Sequence, residues 1–375
     1  MDGTRLRGVG ASAKRGLGLV PQGSGGAAEA GARGVLLSIA GLEVRYGDVA
    51  AVRDATFDVH KGEVIGVAGE SGSGKSTLAF AVARLLRGKG RITAGSATWY
   101  GSPGGPVDLA VASDDVLRKV RWAGVSIVLQ SAMNAMNPVI SLRSQIEDVL
   151  RAHEPGLSRA QRFARVTSLL EMVGIPSGRA GAYPHELSGG MRQRAMIALA
   201  LALSPQLVIL DEPTTALDVV MQRQILDELN ELRRRLGFAV MFISHDLSLL
   251  LEMADQVLVM YAGAVVESAK AQELYTDPRH PYSRGLLRSF PTLQGERREL
   301  LGIPGSPPNL RELPRGCPFH PRCPDVMERC GHEVPLYVER VGANGGGARK
   351  VACHLYPTPE DTVTGADRST EQGEA

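Results

Sequence analysis

Val64-Ile65-Gly66-Val67-Ala68-Gly69-Glu70-Ser71-Gly72-Ser73-Gly74-Lys75-Ser76 decides the fold. A short apolar run ends on a glycine, as a strand buried on both faces of a parallel sheet does. The residues from Gly69 to Ser76 fit Gly-x-x-x-x-Gly-Lys-Ser, and a helical pattern runs from Lys75 to about Leu86. Strand, glycine-rich turn and helix in that order make a P-loop. The glycines let backbone N–H groups face phosphate oxygens, and the helix N-terminus adds a positive dipole end. Lys75 can then reach the β- and γ-phosphates of a nucleotide, and Ser76 can hold Mg²⁺. The candidate cradle is Gly69, Ser71, Gly72, Gly74, Lys75, Ser76 and Thr77.

Further along, Leu207-Val208-Ile209-Leu210 runs into Asp211-Glu212. Asp211, at the end of a buried strand, is placed to bind Mg²⁺ directly or through water. Glu212 can orient or deprotonate an attacking water. A helix N-cap would explain one of these acids but not the pair beside a P-loop. His245 follows the apolar strand Ala239–Ile243 through Ser244, so it faces the ligand crevice of an open α/β sheet and could meet the γ-phosphate. Gln130 closes the run Val125–Leu129 and is a candidate contact to Mg²⁺ or the attacking water. Tyr46, before the turn at Gly47, either stacks on an adenine or packs on the sheet. Ser188-Gly189-Gly190, after Leu187, is a second glycine-rich helix start, which a nucleotide could meet from another subunit.

Strands alternating with helices predict a mainly parallel α/β fold, a P-loop NTPase core of RecA-like type. Leu36–Val44 and Ala55–Val59 alternate as strands of an antiparallel β subdomain. Residues 138–204 are mostly helical by period, so a helical insertion is expected over about 131–204. After Pro278 the chain turns rich in Pro, Arg and Cys, which predicts a small Cys-containing C-terminal module. The expected division is 1–34 disordered, 35–275 nucleotide-binding, 276–356 C-terminal extension and 357–375 disordered. The first segment holds ten glycines and too little apolar surface to offset chain entropy.

These residues together resemble the motif set of ATP-binding cassette (ABC) ATPases over about residues 35–270. Lys75 and Ser76 match Walker A, Gln130 the Q-loop, Ser188–Gln193 the signature motif, Asp211 and Glu212 Walker B, Ala216-Leu217-Asp218 the D-loop, and His245 the switch histidine. The resemblance implies two ATPs bound at a head-to-tail dimer interface. Ser188, Gly189 and Gly190 would there cap the nucleotide held by the partner's P-loop. A narrower resemblance joins Asp277–Ser283, Ile303–Pro308, Cys317-Pro318-Phe319, Arg322-Cys323-Pro324 and Val351–Leu355 to the C-terminal extension of dipeptide and oligopeptide importer ATPases. It implies ATP-driven peptide uptake. The expected partners are a related ABC ATPase subunit, two integral-membrane permease subunits and an extracytoplasmic solute-binding protein. The segment 129–136, Leu-Gln-Ser-Ala-Met-Asn-Ala-Met, departs from that family's more usual aromatic before the glutamine and Asp-Pro after it. The same machinery importing nickel or a sugar, and a soluble ABC ATPase acting on DNA or ribosomes, are the rival readings.

All four cysteines fall late, spaced Cys317-x₅-Cys323-x₆-Cys330-x₂₂-Cys353. Four thiolates suit a [4Fe–4S] cluster or a tetrahedral zinc ion, and unliganded or disulfide-bonded thiols are the alternative. The close Cys-x₂₋₄-Cys pair of structural zinc sites is absent, and the family resemblance favours the cluster.

The net charge of +2 and the 5% aromatic content argue against a nucleic-acid partner. No apolar run approaches the ~18 residues of a membrane span, and no apolar stretch follows the N-terminal basic residues as in a secretory signal. The expected location is the cytoplasmic face of the inner membrane, reached by docking.

Overall fold

The computed structural model describes residues 34–129, 136–213, 218–289, 302–340 and 349–356. The described residues belong to one compact unit.

Two long strands open the chain, β1 (Val35–Tyr46) and β2 (Val49–His60). They pair antiparallel, and β1 also pairs with β4 (Gly90–Trp99), which carries the short β5 (Val107–Asp108). Their sheet order is β2-β1-β4-β5, the expected antiparallel subdomain. The second sheet holds β3 (Val64–Ala68), β6 (Val125–Val128), β7 (Leu207–Asp211), β8 (Ala239–Ile243), β9 (Gln256–Tyr261), β10 (Ala264–Lys270), β11 (Val338–Arg340) and β12 (Arg349–Val351). Its order is β11-β12-β10-β9-β3-β8-β7-β6. The five strands from β9 to β6 run parallel, and β10, β12 and β11 add antiparallel pairs at one edge.

Side chains of the parallel strands alternate between two cores. Ile65, Val67, Ile209, Met241 and Leu258 pack with the antiparallel subdomain, against Leu37, Val44 and Trp99. Val64, Val208, Leu210, Val240, Phe242 and Val259 face the opposite layer of helices. Because both faces are covered, these strands read as unbroken apolar runs rather than as alternating ones.

The P-loop strand β3 lies between β8 and β9, deep in the sheet. Helix α1 (Lys75–Val82) follows the loop and is shorter than the sequence pattern suggests. Arg84 takes a left-handed conformation at φ 54°, and Ala83 and Arg84 donate to the carbonyls of Ala79 and Ala81, closing the helix early. A short α2 (Asp114–Val120) precedes β6. The helical insertion contains α3 (Leu142–His153), α4 (Arg159–Met172) and α5 (Gly189–Ala200). Ser141, Ser158 and Ser188 cap them by accepting a backbone N–H three residues on, which satisfies an otherwise orphaned donor. The core domain closes with α6 (Val219–Leu236), ended by Gly237 at φ 76°, and α7 (Leu247–Met253).

The C-terminal segment is anchored on the main sheet. After α8 (Ala271–Thr276) the chain enters α9 (Pro281–Arg288), where the fully buried Glu267 of β10 accepts from the backbone N–H groups of Arg279 and His280 at 2.8 and 2.9 Å. β12 then pairs with β10, and Ala352 N–H donates to Val266 at 2.8 Å. The Pro-, Arg- and Cys-rich stretch thus extends the sheet of the nucleotide-binding core. No described helix is long and apolar enough to cross a membrane.

Candidate nucleotide site

The site sits at the C-terminal ends of β3, β7 and β8, where an open parallel sheet leaves a crevice. At the end of β3, Gly69, Gly72 and Gly74 hold φ values of 148°, 78° and 103°. A Cβ on Gly69 would lie 2.3 Å from the Met260 carbonyl oxygen, and one on Gly74 2.5 Å from that of Ala51. Glycine is therefore required here for space as well as for backbone angle. Lys75 is 5% exposed, and its Nζ donates to the carbonyls of Gly69 and Glu70 at 2.7 and 2.8 Å. Burial lowers its pKa, opposed by the charges of Glu212, Asp211 and Glu70. Ser71 and Gly72 are exposed at the loop tip, while Ser76 and Thr77 are half-buried on α1.

Ser76 Oγ donates to Asp211 Oδ1 at 3.0 Å, so two of the three expected Mg²⁺ contacts are already neighbours. Asp211 is 2% exposed, and burial raises its pKa, with the Ser76 hydrogen bond pulling the other way. A hydroxyl beside a buried carboxylate is the hard-oxygen donor set Mg²⁺ takes when nucleotide phosphates supply other ligands. Glu212 follows at φ 46°, and its N–H donates to Ile243 at the end of β8 at 3.0 Å. That strained turn aims the Glu212 carboxylate across the strand ends, where Oε1 lies 3.5 Å from His245 Nδ1. The His245 side chain is 60% exposed and that of Glu212 15%. A carboxylate beside an open imidazole can hold a water and move its proton.

The remaining expected residues are placed as follows. Gln130 lies outside the described residues, as do Ala216 and Leu217. Asp218 is exposed and caps α6 by accepting from Met221 N–H at 2.9 Å. Tyr46 ends β1 half-buried, with its ring packed over Gly90: a Cβ there would sit 2.5 Å from the ring. Ser188 is exposed, Gly189 half-buried and Gly190 buried against Met221 of α6. Among the described residues no hydrogen bond or ion pair links Ser188–Gly190 to Gly69–Thr77.

The four cysteines converge. Cys317, Cys323, Cys330 and Cys353 are free thiols lining one cavity of about 10 Å³, with Cys317 N–H donating to the Cys330 carbonyl at 2.8 Å. That volume suits about one water molecule. Burial pushes the Cys317 and Cys353 thiols up to about 11. Among the described residues no group of three or more His, Cys, Asp or Glu side chains is set to hold a metal ion. The cluster and zinc expectations thus find no support in this packing, and a disulfide is absent among these thiols.

Sequence reasoning assigned no role to Glu70, Tyr282 or Arg322, which meet at the P-loop from 212 and 252 residues apart. Their sequence separation left no local signal. Tyr282 and Arg322 lie in the stretches that carry the C-terminal resemblance, but nothing in them points to the P-loop.

An eight-stranded P-loop sheet with an antiparallel subdomain, a helical insertion and a capped glycine-rich helix start defines an ATP-binding cassette. Residues 52–215 match the family described as ABC transporter, and residues 266–330 that described as oligopeptide/dipeptide transporter, C-terminal region. The chain is 46% identical over 308 residues to the oligopeptide transport ATP-binding protein OppD of Salmonella typhimurium, covering 80% of this chain and 90% of that protein. OppD of Escherichia coli is 45% identical over 307 residues, with 80% and 89% covered. OppD of Haemophilus influenzae is 44% identical over 301 residues, with 79% and 91% covered. Among solved structures, cbiO1 from Clostridium perfringens, part of an ABC transporter complex, aligns with a TM-score of 0.56 at 26% identity, over 65% of this chain and 91% of that one. The dimeric cassette MJ0796 bound to ADP and phosphate aligns with a TM-score of 0.55 at 24% identity, over 63% and 99%, and shares the fold. The chain belongs to the ABC transporter family of ATPases, in its branch of oligopeptide transport ATP-binding proteins.

Proposed function

We propose that this chain is the ATP-hydrolysing subunit of an oligopeptide importer. The observation that carries the reading is the Ser76–Asp211 contact at 3.0 Å, with Glu212 next to Asp211 and His245 beyond the end of the neighbouring strand β8. Phosphate recognition, metal ligands and a base stand together there, as phosphoryl transfer to water requires. In this reading the loop from Gly69 to Gly74, with Ser71, Gly72, Lys75 and Thr77, binds the phosphates of ATP. Ser76 and Asp211 hold Mg²⁺, which neutralises phosphate charge when bound. Water adds to the γ-phosphorus, the bond to the bridging β,γ-oxygen breaks and ADP leaves. Glu212 takes the proton of the attacking water, and His245 holds the γ-phosphate side of the crevice. Gln130 contributes to the metal and water from outside the described residues, and Tyr46 supports the adenine end.

Ser188, Gly189, Gly190 and Asp218 close on the nucleotide of a second cassette, a related ABC ATPase subunit. The helices over about 131–204 pass that closure to two permease subunits, which a solute-binding protein supplies from outside the cell. The chain then works peripherally at the cytoplasmic face of the inner membrane. We divide it at about 275 into a nucleotide-binding domain and a Cys-containing C-terminal module over 276–356. For that module our finer reading is a thiolate site, [4Fe–4S] ahead of zinc, resting on the convergence of the four cysteines alone. Brown, iron-containing protein after anaerobic purification would support it, and colourless metal-free protein would overturn it.

Purification of the membrane complex through this chain tests the main reading. Permeases, a second cassette and a peptide-binding protein are expected by mass spectrometry, together with peptide-stimulated ATP hydrolysis. Recovery with ribosomes or DNA in place of a permease would contradict it.

A further inference from the structure

Glu70, the first variable residue of the P-loop, has each of its polar groups engaged. Its backbone N–H donates to the hydroxyl of Tyr282 at 2.8 Å. Its backbone carbonyl accepts from Lys75 Nζ at 2.8 Å. Its carboxylate takes two hydrogen bonds from Arg322, at 2.7 and 2.9 Å, in a fork geometry. Arg322 is 7% exposed and is itself fixed by donating to Pro304 at 2.8 Å and to the Tyr261 hydroxyl at 3.3 Å. Tyr282 is fully buried, and Tyr261, Tyr282 and Phe319 pack as three rings with centroids 4.6 to 5.4 Å apart. The glutamate that presents a carbonyl to the P-loop lysine is therefore held from behind by two residues of the C-terminal segment.

We infer that Arg322 and Tyr282 are positioning residues of the nucleotide site: through Glu70 they fix the Gly69–Glu70 peptides of the P-loop in the shape that receives ATP. The deep position of Arg322 gives the pair its rigidity. A guanidinium forked onto a carboxylate resists rotation in a way that one ammonium does not, because two parallel bonds fix the plane of both groups. Without this backing, the turn from Gly69 to Gly74 would have to be ordered by the ligand, and that ordering would weaken binding. The inference rests on the reading of the segment from Gly69 to Ser76 as the phosphate cradle.

The test reads ATP affinity of the full chain by calorimetry and, in the assembled complex, KM against kcat by phosphate release, with Lys75→Ala as the non-binding control. Glu70→Gln keeps the shape of the side chain and removes its charge, Arg322→Lys keeps charge and removes the fork, and Tyr282→Phe removes only the hydroxyl. Each is expected to raise the Kd and KM for ATP about tenfold with kcat at saturating ATP within about twofold of wild type. Combining Glu70→Gln with Arg322→Lys should cost no more affinity than either alone, because both break one contact. Wild-type affinity in the single variants, or losses that multiply in the double variant, would overturn the inference. If Arg322→Lys does not fold, Glu70→Gln and Tyr282→Phe decide the matter on the same readouts. A wild-type chain that binds ATP no better than Lys75→Ala would overturn the cradle reading and this inference with it.

Discussion

The two glycine-rich helix starts of this chain stand in opposite surroundings. At Gly69–Ser76 the loop is tied within its own chain: Lys75 is buried on carbonyls, Ser76 is bonded to Asp211, and Glu70 is tied to Arg322 and Tyr282. At Ser188–Gly190 the serine is exposed, and its only described side-chain bond is the cap to Met191 N–H. One start is completed inside its own chain, and the other presents its donors outward. The composite site proposed above needs this asymmetry: in that reading the half that holds the nucleotide is preorganised, and the half that closes on it stays available to a partner.

The largest break in the comparison should come at the chemistry. Glu212→Gln is expected to lower ATP turnover by about a hundredfold or more while ATP binding persists, read by phosphate release and calorimetry. Turnover near wild type would remove Glu212 as the base. Gly69→Ala comes next, since its Cβ would meet a backbone oxygen at 2.3 Å and its φ of 148° strains any side chain. A loss of about 2–4 kcal/mol in unfolding free energy is expected in denaturant titration, with ATP binding lost.

A smaller effect separates the C-terminal segment from both. His280 is fully buried, accepts from Tyr282 N–H through Nδ1, and burial holds its pKa down at about 3, against an ordinary value of 6.5. The unfolded chain takes up this proton as pH falls through 6.5, while the folded chain does not until about 3. The stability His280 contributes is therefore complete above that upper value and is lost as pH falls across the window. The melting temperature should fall by about 5 °C more in wild type than in His280→Gln between pH 7 and pH 4.5. Parallel curves would contradict the buried neutral imidazole. The smallest effect belongs to Gly190→Ala. Its Cβ would meet only Met221 Cε, the free end of an unbranched side chain, so under about 1 kcal/mol of stability should be lost.

The same contrast explains what could be read ahead of the structure. Val64–Ala68 and Ala239–Ile243 are buried strands with the predicted ends, because short apolar runs bounded by Gly and Ser carry their own limits. Helix α1 stops at Val82 rather than Leu86 because Arg84 turns left-handed, a tertiary demand that helical period does not encode. Ser76, Asp211, Glu212 and His245 were legible since each closes a strand or opens a helix at one end of a parallel sheet. The extension of that sheet by β11 and β12 was not, because three-residue strands lack a period and their partner lies far away in sequence. Glu70 and Arg322 were missed for the same reason: a contact across 252 residues leaves no spacing to recognise. The cysteines show the converse. Their clustering in sequence predicted convergence correctly, but not the closed packing around about 10 Å³.

ATP affinity and turnover measured together for Lys75→Ala and Ser188→Arg test the composite site most directly. The account predicts that both variants lose turnover in the assembled complex by about a thousandfold, that Lys75→Ala also fails to bind ATP as an isolated chain, and that Ser188→Arg binds it with wild-type affinity. Loss of ATP binding by the isolated Ser188→Arg chain, to the extent seen for Lys75→Ala, would place both helix starts around one nucleotide in one molecule and contradict it.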